Sequence, residues 1–251
     1  MKYCVKGDPH NNIKDFYSEL EKTESEFCLC TGDFGFYPDL NIIKIVDRKA
    51  WDKSEILGYG LQQFDPAVVP KITIYSVPGN HEDQEYLDDA YVDGVIQFNK
   101  NLTVVHGAIL QIKPNLFIAG IGKIFVENTL RNYTTEFINS MGTRRGRKPN
   151  LGYIKRRNHI TMLELTNFLD KIRIFSRTRT KNDRVIWLSH DAPRHIDPKR
   201  KIPVGSDYVR QLIDLVGPDI SFFGHYHYDY EFPGSEPAHI IQKYTLKEFE
   251  L

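Results

Sequence analysis

Apolar positions recur along this chain in two periods, and their order predicts an architecture. Alternating or continuous apolar runs read as strands over 2–7, 27–31, 72–77, 102–105, 109–112, 116–121, 184–188, 220–223 and 240–246. Between them a helical spacing puts Ile13, Phe16 and Leu20 on one face. It recurs over 158–175, with Ile160, Leu163, Leu165, Phe168, Leu169 and Ile172, and over 207–216, with Val209, Leu212, Ile213 and Val216. Strands that alternate with helices predict an α/β layered fold, two packed sheets with helices outside. Segments 35–70 and 126–158 show neither period. They are expected to be cap or substrate-binding insertions in a single domain spanning 1–251. No apolar run approaches the roughly 20 residues needed to cross a bilayer, so no membrane association is expected.

The polar residues that interrupt this pattern are not scattered. The predicted strands lead into Gly7-Asp8-Pro9-His10, Gly32-Asp33, Gly79-Asn80-His81-Glu82, a lone His190 in Leu188-Ser189-His190-Asp191, and Gly224-His225-Tyr226-His227. Loops at the carboxyl ends of strands converge in open α/β sheets, so five loops are expected to meet at one site. With His81 set aside, the blocks supply Asp8, His10, Asp33, Asn80, His190, His225 and His227. That inventory suits two divalent ions sharing one carboxylate, a device for attacking phosphate esters when the ions sit about 3.5–4 Å apart. Asp8 and His10, like His225 and His227, lie two apart. In extended turns each pair would point the same way. Asp33 has two oxygens and a full charge, which suits a bridge between ions. Asn80 offers a neutral amide oxygen that tempers the negative charge facing a phosphate.

In this order the blocks resemble the motifs of the calcineurin-like metallophosphoesterase superfamily. The resemblance spans 7–227 and implies a four-layer αββα sandwich of two mixed sheets. It also implies that Asp8, His10, Asp33 and His227 hold one metal, and that Asp33, Asn80, His190 and His225 hold the other. His81 would then protonate the leaving oxygen or stabilise the attack. Within the superfamily, Leu29-Cys30-Thr31-Gly32-Asp33-Phe34, residues 118–125 and residues 188–194 resemble RNA lariat debranching enzymes, which cleave 2′–5′ phosphodiester bonds. Asp8 stands where those enzymes carry Cys, and Gly35 where they usually carry Gln. The Asp-Arg-Gly of Ser/Thr phosphoprotein phosphatases is replaced by Gly32-Asp33-Phe34.

Composition adds the partners. Formal charge is zero over 251 residues, with a mean hydropathy of −0.43. Residues 141–201 nevertheless hold 17 Lys or Arg against 5 Asp or Glu. Beside a phosphate-cleaving site such a basic stretch is expected to engage RNA or DNA. Arg194, His195 and Tyr153 are the candidate substrate contacts, with Tyr153 placed to stack on a base among the basic residues of 144–157. Three cysteines, Cys4, Cys28 and Cys30, give no disulfide framework and read as buried apolar residues of a cytoplasmic protein. His106, His159 and His239 have no motif partner and are read as structural. Mixed O/N ligation admits Mn²⁺, Fe²⁺ or Zn²⁺, and the absence of a Cys ligand favours Mn²⁺. The expected activity is a phosphodiesterase on nucleic acid or nucleotide. A phosphomonoesterase and a non-catalytic scaffold are the competing readings.

Overall fold

Alternation within the strands explains how the layers stack. The computed structural model describes residues 1–46, 62–126, 157–234 and 237–251. One sheet is built from β1 (Lys2–Lys6), β2 (Phe27–Cys30), β3 (Thr73–Ser76), β4 (Val95–Asn99), β5 (Leu102–Val105) and β14 (Leu246–Glu250). These six strands lie in the order β14-β1-β2-β3-β5-β4. The second comprises β6 (Ala108–Lys113), β7 (Leu116–Ile121), β8 (Arg184–Ser189), β11 (Ile220–Phe223), β12 (Tyr230–Glu231) and β13 (Ala238–Ile240). Its order is β12-β13-β11-β8-β7-β6. A two-stranded ribbon pairs β9 (His195–Ile196) with β10 (Pro203–Val204).

Tyr3 and Val5 of β1, Phe27 and Leu29 of β2, and Ile186 and Leu188 of β8 point between the sheets into one buried cluster. Their neighbours point outward. Cys4, Cys28 and Cys30 meet Ile13, Phe16 and Leu20 of α1 (Ile13–Leu20) and Leu87 of α3 (Gln84–Ala90). Val185 and Trp187 meet α4 (Met162–Thr178) and α5 (Asp207–Val216). A short α2 covers Leu40–Val46. The layers are therefore helix, sheet, sheet, helix, and both sheets are mixed: four parallel strands in each, with antiparallel strands at the edges. Among the described residues no helix is long and apolar enough to cross a membrane.

The strand expected over 240–246 is instead split. Ile240 ends β13, and Leu246 starts β14 in the other sheet. Between them the chain turns back on the first motif loop: Gly7 N–H donates to Thr245 O (3.0 Å), and Tyr244 N–H donates to Gly7 O (3.1 Å). Thr161 and Glu164 form a reciprocal capping box, which starts α4 at Met162 rather than near 158. Within the expected insertions, 47–61 and 127–156 lie outside the described residues.

Candidate metal centre

The parallel strands deliver the five polar blocks to one end of the sandwich, where the loops bond to one another. His10 N–H donates to Asp33 O (2.7 Å), and Gly224 N–H donates to His190 O (3.1 Å). Two glycines permit this approach. A Cβ at Gly79 would fall 2.0 Å from Asp33 Oδ1, and one at Gly224 would fall 2.2 Å from Asp8 Oδ1. The turns are not extended, as spacing alone suggests. His10, Asp33, His225 and His227 all take left-handed backbone, with φ of 47°, 50°, 69° and 57°. Non-glycine residues visit this region rarely and at a cost, so the surrounding bonds must hold them there.

Asp8, His10, Asp33 and His227 each offer one ligand atom, and these atoms lie within 4.8 Å of one another. His10 Nε2 is 3.1 Å from His227 Nε2 and 3.5 Å from Asp33 Oδ2. His227 Nε2 is 3.5 Å from Asp8 Oδ2. On the other side of Asp33, His190 Nε2 lies 3.5 Å from the same Oδ2 and 2.9 Å from Asn80 Oδ1. The His225 ring is 5.1 Å from that of His190. The His81 ring is 5.0 Å from that of His10, and its backbone N–H donates to Asp33 Oδ1 (2.8 Å).

Hydrogen-bond chemistry tests whether cations fit here. Thr31 O can only accept, so His190 Nδ1, 2.9 Å away, carries a proton. In the neutral ring Nε2 is then an acceptor, and it faces two further acceptors, Asn80 Oδ1 and Asp33 Oδ2. Asp33 Oδ2 is buried and has no hydrogen-bond partner among the described residues. Buried polar atoms are rarely left so. A convergence of oxygen and imidazole acceptors is the donor set of a first-row divalent ion, and the residues fit one on each side of Asp33.

The charges agree. Burial pushes the Asp8 carboxyl up to about 7, opposed by His190 and reinforced by Asp33. Burial also works against the Asp33 charge, but His190, His81 and His10 outweigh it and hold that carboxyl well below the usual range. Burial pushes His225 and His227 down to about 4, and pushes His10 well below its ordinary value, leaving all three as neutral ligands near pH 7. Burial opposes a charge on His190 too, yet Asp33 and Asp8 raise it.

The calcineurin-like phosphoesterase profile matches residues 1–229. The chain belongs to that family. It is a hydrolase of phosphoric esters, from a family whose members depend on two metals. No curated protein matches this phosphoesterase significantly. Among solved structures, TT1561 of Thermus thermophilus is similar at 12% identity and a TM-score of 0.55, covering 99% of this chain and 97% of that one. A dimetal phosphatase from Danio rerio is similar at 12% identity and a TM-score of 0.50, covering 96% and 86%. At such identities the likeness is one of fold.

Around the centre, this phosphoesterase uses residues to which motif reading assigned no role. Glu82, buried, accepts from the backbone amides of Phe34 (2.8 Å), Gly35 (2.9 Å) and Phe36 (2.7 Å), shaping the loop behind Asp33. Burial and Asp33 push its carboxyl up to about 8, against those amide donors. The signal was its place in Gly79-Asn80-His81-Glu82. Tyr226, between the two histidines, donates its hydroxyl to Asp191 Oδ1 (2.6 Å) and so ties the last loop to the one bearing His190.

Of the expected substrate contacts, Arg194 and His195 fall among the described residues. Arg194 Nε donates to Asp207 Oδ2 (2.8 Å). His195 is buried among Tyr226, Tyr228, Tyr230 and Phe232, with Nδ1 2.8 Å from Pro193 O and Nε2 2.7 Å from Tyr228 Oη. Both ring nitrogens are used inside the fold, which leaves none for a phosphate. Tyr153 and the basic residues 144–156 lie outside the described residues. Much of the positive charge after them is paired, including Lys171 with Asp93 and Arg184 with Asp219.

Proposed function

We propose that this phosphoesterase is a two-metal phosphodiesterase acting on a nucleic acid or nucleotide. Asp8, His10, Asp33 and His227 would hold one ion, Asn80, His190 and His225 the other, and Asp33 would serve both. The observation that carries this reading is Asp33 Oδ2, a buried acceptor facing His10 Nε2 and His190 Nε2 at 3.5 Å each. Mn²⁺ suits the mixed oxygen and nitrogen set. When bound, the ions supply Lewis-acid charge that activates water and neutralises the phosphate oxygens.

The chain's own residues do the rest. Asn80 contributes a ligand without adding negative charge against the substrate. His81 sits beside the cluster rather than within it, and its imidazole delivers a proton to the departing oxygen. The Asp33 carboxylate accepts from the His81 backbone and so fixes the loop that aims this ring. Preference for a diester is supported by the resemblance to lariat debranching enzymes and by the basic stretch 141–201, with the segments at 35–70 and 126–158 as substrate-binding insertions. Hydrolysis of bis-p-nitrophenyl phosphate and p-nitrophenyl phosphate under Mn²⁺ tests it. The diester is expected to turn over faster, and a clear preference for the monoester would replace this reading with a phosphomonoesterase.

A further inference from the structure

Of the seven candidate ligands, His227 is the most exposed. Its side chain is 42% open to solvent, whereas Asp8, Asp33 and His190 are fully buried. A phosphate ester therefore reaches the centre over the His227 edge. The turn between β13 and β14 borders that edge. The Tyr244 ring lies 6.1 Å from that of His10, which also neighbours the His81 and His227 rings at 5.0 Å each. Tyr244 is itself 39% exposed. Lys243, half-buried, holds Nζ over the Tyr244 ring, 4.6 Å from its centre. The charge is felt at the ligands: after burial, Lys243 is the next cause that holds the His227 imidazole down to about 4. It acts on His10 in the same sense, behind burial and His81.

The backbone makes this placement costly. Thr245 N–H donates to Gln242 O (3.1 Å), closing a β-turn whose third residue, Tyr244, has a φ of 62°. Glycine is the usual occupant of such a position, and a bulky side chain there is strained. Three bonds impose the conformation. Tyr244 N–H donates to Gly7 O, Gly7 N–H donates to Thr245 O, and the buried Lys6 Nζ donates to Tyr244 O (2.9 Å). Strain that the surroundings hold in place collects at functional sites. An ammonium resting on an aromatic face keeps N–H donors for an anion, and a cation beside the centre attracts phosphate oxygens.

Building on the two-metal reading, we infer that Lys243 donates to a non-bridging oxygen of the phosphate ester bound at the centre, and that Tyr244 is a positioning residue that holds the ammonium there. The test is steady-state kinetics of the Mn²⁺-loaded full chain on bis-p-nitrophenyl phosphate and p-nitrophenyl phosphate, read on whichever turns over faster. Lys243→Met should raise KM about tenfold, the worth of a hydrogen bond to a charged group, with a smaller change in kcat and an unchanged metal count. Lys243→Arg should recover most of the loss. Tyr244→Gly should raise KM roughly twofold to fivefold by removing the aromatic support, yet not lower the melting temperature, because glycine accepts positive φ. Unchanged KM in Lys243→Met, a loss that Lys243→Arg does not recover, or a metal count that falls in Lys243→Met overturns the contact. A lower melting temperature with unchanged KM in Tyr244→Gly overturns the positioning role. Turnover that survives chelation, with KM still answering to Lys243, keeps the contact while the two-metal reading fails. Metal-dependent turnover with KM unmoved does the reverse.

Discussion

Lys123 and Asp33 are both buried charges, but Lys123 hydrogen-bonds to two carboxylates built into the fold, whereas Asp33 Oδ2 has no hydrogen-bond partner among the described residues. Around Lys123, two carboxylates and a histidine close a network in which donors meet acceptors. Around Asp33, acceptors face acceptors, a second carboxylate lies close, and four residues strain their backbones to converge. A network of the first kind holds a fold together. A network of the second kind would be completed by the ions of the proposed two-metal centre, which the chain itself does not encode.

The sharpest way to break this comparison is Asp33→Ala. It should cost turnover more than the roughly 10–100-fold typical of losing an outer partner of a metal, and at least one ion should disappear from elemental analysis. An unchanged metal count would mean that Asp33 is not a shared ligand. His81→Ala should keep both ions and lower turnover of a diester with a poor leaving group by about 10²–10⁴-fold. A loss under tenfold would remove the proton-donor role.

Stability probes the other half. Lys123→Met leaves Asp88 and Glu164 without their cation and should cost about 3 kcal/mol in a urea melt. Asp33→Asn in chelator-treated protein should cost less, because the amide oxygen still accepts from the His81 backbone N–H and the imidazoles around it can shed their protons. Equal losses in both would erase the distinction.

The smallest effect is one of pH. Asp8, pushed up to about 7 chiefly by burial, must lose a proton to ligate, and so must His190, which burial lowers but Asp33 and Asp8 raise further, so metal affinity should fall between about tenfold and a hundredfold per pH unit below that point. His225 and His227, down near 4, are already neutral and add no further proton until that pH is approached. The Lys123 network behaves otherwise. Burial disfavours the Glu164 charge, but Lys123 and His106 outweigh it and hold the carboxyl low. Its stabilisation is therefore present above the ordinary Glu value of about 4.3 and is lost only as pH falls below it. Calorimetric metal titrations and melts across pH 5–7 separate the two.

Much of the frame was legible because burial on one side of a strand or helix leaves a period. β7 and α5 have the expected limits, since Leu116–Ile121 and Val209, Leu212, Ile213 and Val216 are packed as their spacing implies. α3 was missed because its seven residues bury only Leu87 among apolar side chains, too little to show a face. β14 was misplaced because Lys247, Glu248 and Glu250 mask the alternation of an edge strand, while Ile240 and Ile241 read as its start. At the site, residue identity and order predicted which side chains would meet. They did not reveal the left-handed turns at His10, His225 and His227, because nothing about a histidine's chemistry favours positive φ. His195 looked available because proximity to His190 in sequence says nothing about the tyrosines that enclose it.

The clamp that residues 244–250 place on the first motif loop also sets an order of events during synthesis. A ribosome-bound chain that has emerged through His227 already holds every candidate ligand. It still lacks β14, which flanks β1, and Thr245, which fixes Gly7 beside Asp8. Assembly of the centre therefore waits on strand pairing between the two ends of the described fold, and metal capture is expected only after translation has passed Leu246.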